Sequence, residues 1–148
     1  MAFENVDTAN LRNALNSCKT SIDDTITRSL INKLSGNNVW DTSSKDKLSE
    51  KIKILEEKRY KDLKEKIDKY LNLVPQIEEY QRLAQENNQS ESRCQNMSEQ
   101  LRKEKEKAAK EGKSYNGNIN SEINNLNSQI NSNKQKMKEI ENYVSNSI

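Results

Sequence analysis

Residues 119–144 read INSEINNLNSQINSNKQKMKEIENYV, and this stretch decides the fold class. Its apolar residues are Ile119, Ile123, Leu126, Ile130, Met137, Ile140 and Val144, spaced 4-3-4-7-3-4. Steps of three and four put all of them on one stripe of a helix, whereas a strand would alternate with period two. The pattern is a heptad seam with one rung missing, at Asn133 or Lys134. A polar residue there more often sets register than marks a ligand site. Ten of the 33 residues from 116 to 148 are Asn, a poor helix former. The helix predicted here therefore needs a partner to hold it.

Upstream lies a turn formed by Gly112 and Asn116-Gly117-Asn118. Before it, Cys94, Met97, Leu101 and Ala108 continue a weaker seam, as do Ile77, Tyr80, and Leu83 or Ala84. The seam fades through Gln85–Arg93, and fraying is expected over Gln85–Ser90. Pro75, the only proline, removes a backbone donor and disfavours helix at Val74, so a kink or break is predicted.

The next segment back carries Leu48, Ile52, Leu55, Leu63, Ile67, Tyr70, Leu71 and Val74. Thr42-Ser43-Ser44 with Asp46 reads as a helix start with a capping box. A helix over 42–74 would be about 50 Å long. The first segment carries Leu11, Leu15, Cys18, Ile22, Ile26, Leu30 and Leu34 on one stripe, with Asp7-Thr8 as its N-cap. It ends at Ser35-Gly36-Asn37-Asn38, followed by Val39-Trp40.

The expected fold is all-α, as two long antiparallel helical hairpins. It has four helices, or fewer if the second and third are continuous. The expected division is a hairpin over 1–90, turning at 35–42, and a hairpin extension over 91–148, turning at 112–118. Three Gly and one Pro allow few turns, and a 31% hydrophobic chain supports narrow seams rather than a thick core.

Composition also excludes classes. Without His, metal triads and Ser-His chemistry are absent, and the three scattered glycines make no phosphate loop. Glu56-Glu57 and Glu78-Glu79 are neighbours on a solvated helix, not a converging pair. The expectation is therefore no enzyme, no cofactor and no metal. The 25 basic and 23 acidic residues balance segment by segment, which argues against nucleic acid. No apolar run approaches the roughly 18 residues of a membrane span. The N-terminus has no Sec-type signal pattern, so a cytoplasmic protein is expected. Cys18 and Cys94 read as small buried thiols, with a disulfide between them left open.

Trp40 stands out as the one tryptophan, between turn residues and a helix cap. As a structural residue it plugs the open end of a hairpin against Leu34 and Leu48; as a functional one it adds a recognition surface at the tip. The stretch Leu34-Ser35-Gly36-Asn37-Asn38-Val39-Trp40-Asp41-Thr42-Ser43-Ser44 resembles the turn of the small WXG-type proteins of type VII secretion systems. Those proteins are helical hairpins with Trp-x-Gly between two long helices. The resemblance spans residues 5–90, and Leu48, Ile52, Leu55, Tyr60 and Leu63 resemble the second helix. Thr42 stands where that family has Gly. Tyr80 stands where its export signal Tyr-x-x-x-Asp/Glu begins, but Ala84 replaces the acid.

The resemblance implies a helical partner or targeting chaperone. It would bind the helical N-terminal domain of an LXG-type effector toxin, or a second small helical subunit, and be co-secreted with it. The interaction residues on this reading are Trp40, Leu11, Leu15, Cys18, Ile22, Ile26, Leu30, Leu48, Ile52, Leu55, Leu63 and Ile67, in a hetero-oligomer or a homodimer. The competing reading is a structural scaffold coiled coil that homo-oligomerises.

Overall fold

The computed structural model describes residues 3–28 and 42–148. It is all-α among the described residues, with three helices: α1 (Thr8–Arg28), α2 (Thr42–Lys110) and α3 (Ile119–Ser147). The expected second and third helices are one. Pro75 lies inside α2, which runs on without a break. The missing N–H at Pro75 costs one helical bond, to the Leu71 carbonyl. Burial on either side, with Leu73, Val74 and Ile77 all inside, outweighs it. The ring itself is exposed.

The chain divides into two compact units, Asp7–Val74 and Met1–Val6 with Pro75–Ile148. In the first unit, α1 begins at Asp7. Its carboxylate accepts the Asn10 backbone N–H at 3.0 Å and the Asn10 side-chain amide at 2.7 Å, satisfying an orphan donor of the first turn. Lys19 pairs with Asp68 at 2.6 Å, and Lys64 pairs with Asp23. As the residue number rises on α1 it falls on α2, so the two segments run antiparallel. The half-buried positions of α1 are Thr8, Leu11, Arg12, Leu15, Lys19 and Ile22. This sector is turned toward Thr8, Arg12 and Lys19, which leaves Cys18 at its edge and exposed. The expected buried thiol is not buried. Both cysteines are free.

In the second unit, α3 packs antiparallel on α2. Tyr80 donates its hydroxyl to Glu141 at 2.9 Å, Asn133 its amide to Asn87 at 3.0 Å, and Cys94 lies 3.8 Å from Asn127 Oδ1. Gln129 to Glu86 and Lys134 to Glu91 add exposed links. The core is Tyr80, Leu83, Ala84 and Met137, flanked by Phe3 and Ile140. Each fully buried side chain of this size contributes roughly 1.5–3 kcal/mol. The partner that the Asn-rich α3 needs is thus the 80–94 stretch of α2, the stretch whose seam looked faintest. It does not fray, because Asn87 fills its missing rung opposite Asn133 (both buried) and the two bond to each other. The Asn87 amide also reaches the Ile130 carbonyl at 3.4 Å.

The turn between α2 and α3 is built as its sequence predicts. Gly112 adopts φ +65°, the Lys113 N–H reaches the Ala108 carbonyl at 2.9 Å, and the Gly112 N–H reaches Ala109 at 3.1 Å. This is a Schellman C-cap, in which glycine supplies the left-handed residue without a side-chain penalty. An N-terminal arm, Phe3–Val6, is also held here. The Gln81 amide donates to the carbonyls of Phe3 and Val6, each at 2.8 Å. The Phe3 ring meets Tyr80 edge-on, with centroids 5.4 Å apart.

Candidate helix-docking surface

The residues that sequence reading assigns to partner binding fall into three groups within the first unit. Ile67 is buried. Leu11, Leu15, Ile22 and Leu48 are half-buried, while Leu55, Leu63 and Cys18 are exposed. Leu30 and Trp40 lie outside the described residues, as do the side chains of Ile26 and Ile52 and the turn at 35–41.

Leu55 and Leu63 define the feature of interest. They are 65% and 46% exposed, on a helix whose next turns bury Ile67, Leu73 and Val74. With Leu48 before them and the half-buried Tyr70 after them, they repeat at intervals of seven, eight and seven residues. At about 100° per residue, all four lie within roughly 80° of Leu55, on one side of α2. Ile54, 55% exposed, points about 100° away from Leu55 and does not join them. Sequence reading did not single it out, since it is off the seam.

The reason for the exposure lies in how α1 meets α2. The two cross-helix ion pairs use Lys64 and Asp68 of α2, and these lie on the far side of the helix from Leu55. Ile67 sits between the two sides and is covered. Hence α1 takes one flank of the apolar seam and leaves Leu55 and Leu63 exposed on the other, between the half-buried Leu48 and Tyr70. Singly exposed leucines are ordinary, but a row at heptad spacing is the pattern that a second helix packs on.

The electrostatics of this row were not visible in linear charge counts. Lys51, Lys58, Lys66 and Lys69 fall within about 60° of Leu55, and all four are exposed. Lys66 lies over the Tyr70 ring at 6.0 Å from its centroid. Asp62 is the single acid in that sector. Asp46, Glu50, Glu57 and Asp68 all fall on the opposite side, among Lys53, Lys61 and Lys64. A helical-wheel count of charge, rather than a count along the chain, would have found this.

Tyr80, which sequence reading aligned with an export signal, is only 1% exposed, and its ring belongs to the core. Neither it nor Ala84 presents itself at the surface. Among the described residues no group of His, Cys, Asp or Glu is placed to hold a metal ion, and no helix is long and apolar enough to cross a membrane. No family model, curated protein or solved structure matches the chain.

Proposed function

We propose that this chain is a non-enzymatic helical partner protein. It binds another helical protein along α2, and it serves as a targeting chaperone for the helical N-terminal domain of a type VII secretion effector. The observation that carries the binding part is the exposed Leu55–Leu63 row at heptad spacing, in a unit that buries only Ile67, Leu73 and Val74 among its described residues. Covering such a row removes apolar area from water at roughly 25 cal/mol per Å², the ordinary driving force for helix-on-helix association. The secretion part is supported by the resemblance of Leu34–Ser44 to the WXG-type turn, with Trp40 at its tip. Thr42 and Ala84, where the family has Gly and an acid, suit a helper subunit whose partner carries the export signal.

Two experiments test the two parts separately. Co-purification from cells making both proteins should recover an effector with a helical N-terminal domain, and a Leu55→Ser/Leu63→Ser double variant should lose it. Trp40→Ala should abolish export of that effector while leaving helicity and co-purification intact; normal export removes the secretion reading. If light scattering finds instead a stable homo-oligomer at low concentration, with or without a co-expressed partner, the chain is a scaffold coiled coil.

A further inference from the structure

The exposed row on α2 also indicates what kind of helix covers it. We infer that the partner segment is an acidic amphipathic helix, whose apolar seam lies on Leu48, Leu55, Leu63 and Tyr70 and whose flanking carboxylates meet Lys51, Lys58, Lys66 and Lys69. This rests on the reading of that row as a docking surface, and adds the chemistry of its occupant.

Three observations carry it. Four lysines and one acid, Asp62, share the sector of the row, although this part of the chain is nearly balanced by count. Asp46, Glu50, Glu57 and Asp68 of the same helix segment are turned away, where Asp68 and Lys64 are used in the ion pairs with α1. Among the described residues none of the four lysines forms an ion pair, and all four are exposed. Flanking charges choose between helices of equal hydrophobicity, because like charges across the seam repel and opposite ones steer and register the pair.

The shape of the row favours a helix over other anionic surfaces. From Leu55 to Tyr70 its apolar residues recur only every second turn, with Lys58 and Lys66 in the gaps, so this part of the band is a seam and not a broad face. A helix lying in a lipid surface needs a continuous apolar face. Nucleic acid would bind the lysines through its phosphates and leave the leucines without a role.

The test uses the full-length chain and two synthetic peptides of roughly four heptads. Both carry the same Leu/Ile seam; one has Glu at the flanking positions and the other Lys. The Glu peptide should bind, measured by fluorescence anisotropy, with affinity falling as sodium chloride rises, and the Lys peptide should not. A K51E/K58E/K66E/K69E variant should bind the Glu peptide about tenfold more weakly or worse, and should gain binding to the Lys peptide. All four positions are exposed, and circular dichroism confirms that the variant keeps its helicity. Equal binding of both peptides to the natural chain, or an unchanged affinity in the charge-reversed variant, overturns the acidic assignment while leaving the docking surface standing. A Leu55→Ser/Leu63→Ser variant that still binds the Glu peptide at full affinity overturns the docking surface itself. Lysine-dependent binding to phosphatidylcholine vesicles containing phosphatidylglycerol, or to a DNA duplex, with none to the Glu peptide, replaces the helix by that surface.

Discussion

Asn133 donates its side-chain amide to Asn87 Oδ1 at 3.0 Å, and both residues are buried between α2 and α3. The pair takes the place of one aliphatic rung in an otherwise apolar seam. Two amides that must meet inside an apolar layer allow one alignment of the helices, since any slip buries both without partners.

The pair should therefore respond differently to single and double substitution. Asn133→Leu alone removes the donor to the buried Asn87 Oδ1 and leaves Asn87 only its long bonds to the Ile130 carbonyl and Met137 Sδ, and should destabilise the unit by roughly 1–3 kcal/mol. Replacing both residues by Leu should recover most of that loss and relax the register. Urea denaturation gives the energies, and amide exchange in α3 reports the register. Additive losses in the double variant would show that the two side chains are not coupled.

The N-terminal arm should depend on one side chain. Gln81→Ala removes both donors to the Phe3 and Val6 carbonyls, so the arm should become sensitive to protease while α2 and α3 stay protected. Phe3→Ala should cost more in stability than Gln81→Ala, because it also strips the edge-on contact from Tyr80. An arm that stays protease-resistant in the Gln81 variant would place its anchorage elsewhere.

The two turn glycines should fail for different reasons. Gly112→Ala meets no atom within 4 Å but must hold φ +65°, so it should cost about 1 kcal/mol. Asn at the same position should be milder. At Gly117 a Cβ would come within 2.6 Å of Tyr115 Cζ, so Ala there displaces the ring. Removing the ring with Tyr115→Ala should rescue Gly117→Ala and leave Gly112→Ala unchanged, as thermal denaturation of the double variants will show.

Acid should act through two exposed pairs. A hydrogen bond from Arg82 holds the Glu79 carboxyl below its ordinary value of 4.5, and one from Lys103 does the same for Glu99. A depressed carboxylate contributes stability that is fully present above its unfolded pKa and lost as pH falls through the folded one. These pairs should thus leave stability flat above about pH 4.5 and lower it slightly below, with the effect shrinking in salt. Arg82→Gln should remove the Glu79 share. An identical acid limb in the variant, followed by urea midpoints across pH, would count against the assignment.

Pro75→Ala should stabilise the chain, by up to about 3 kcal/mol, because it restores a helical bond at an exposed position inside α2. A loss of stability would mean that the ring itself makes a contribution to the fold.

Much of the architecture was legible one residue at a time. The 4-3-4 spacing of Ile119–Ile130 and the 3-4 spacing of Met137–Val144 specify a helix, and Asp7 and Gly112 mark helix ends by their own chemistry. The polar rung at Asn133 was visible as a gap in that spacing. Periodicity and capping are local, since they involve neighbours within a turn or two. The tertiary structure decided the rest. It runs α2 through Pro75, because burial of Val74 and Ile77 outweighs one lost bond. It makes the faint stretch around Asn87 the partner of α3, because the matching amide comes from 46 residues away. It turns Cys18 outward and leaves Leu55 and Leu63 uncovered, because α1 takes the flank of α2 that carries Lys64 and Asp68. An apolar stripe specifies that a face will be buried; only the arrangement of the helices determines what covers it.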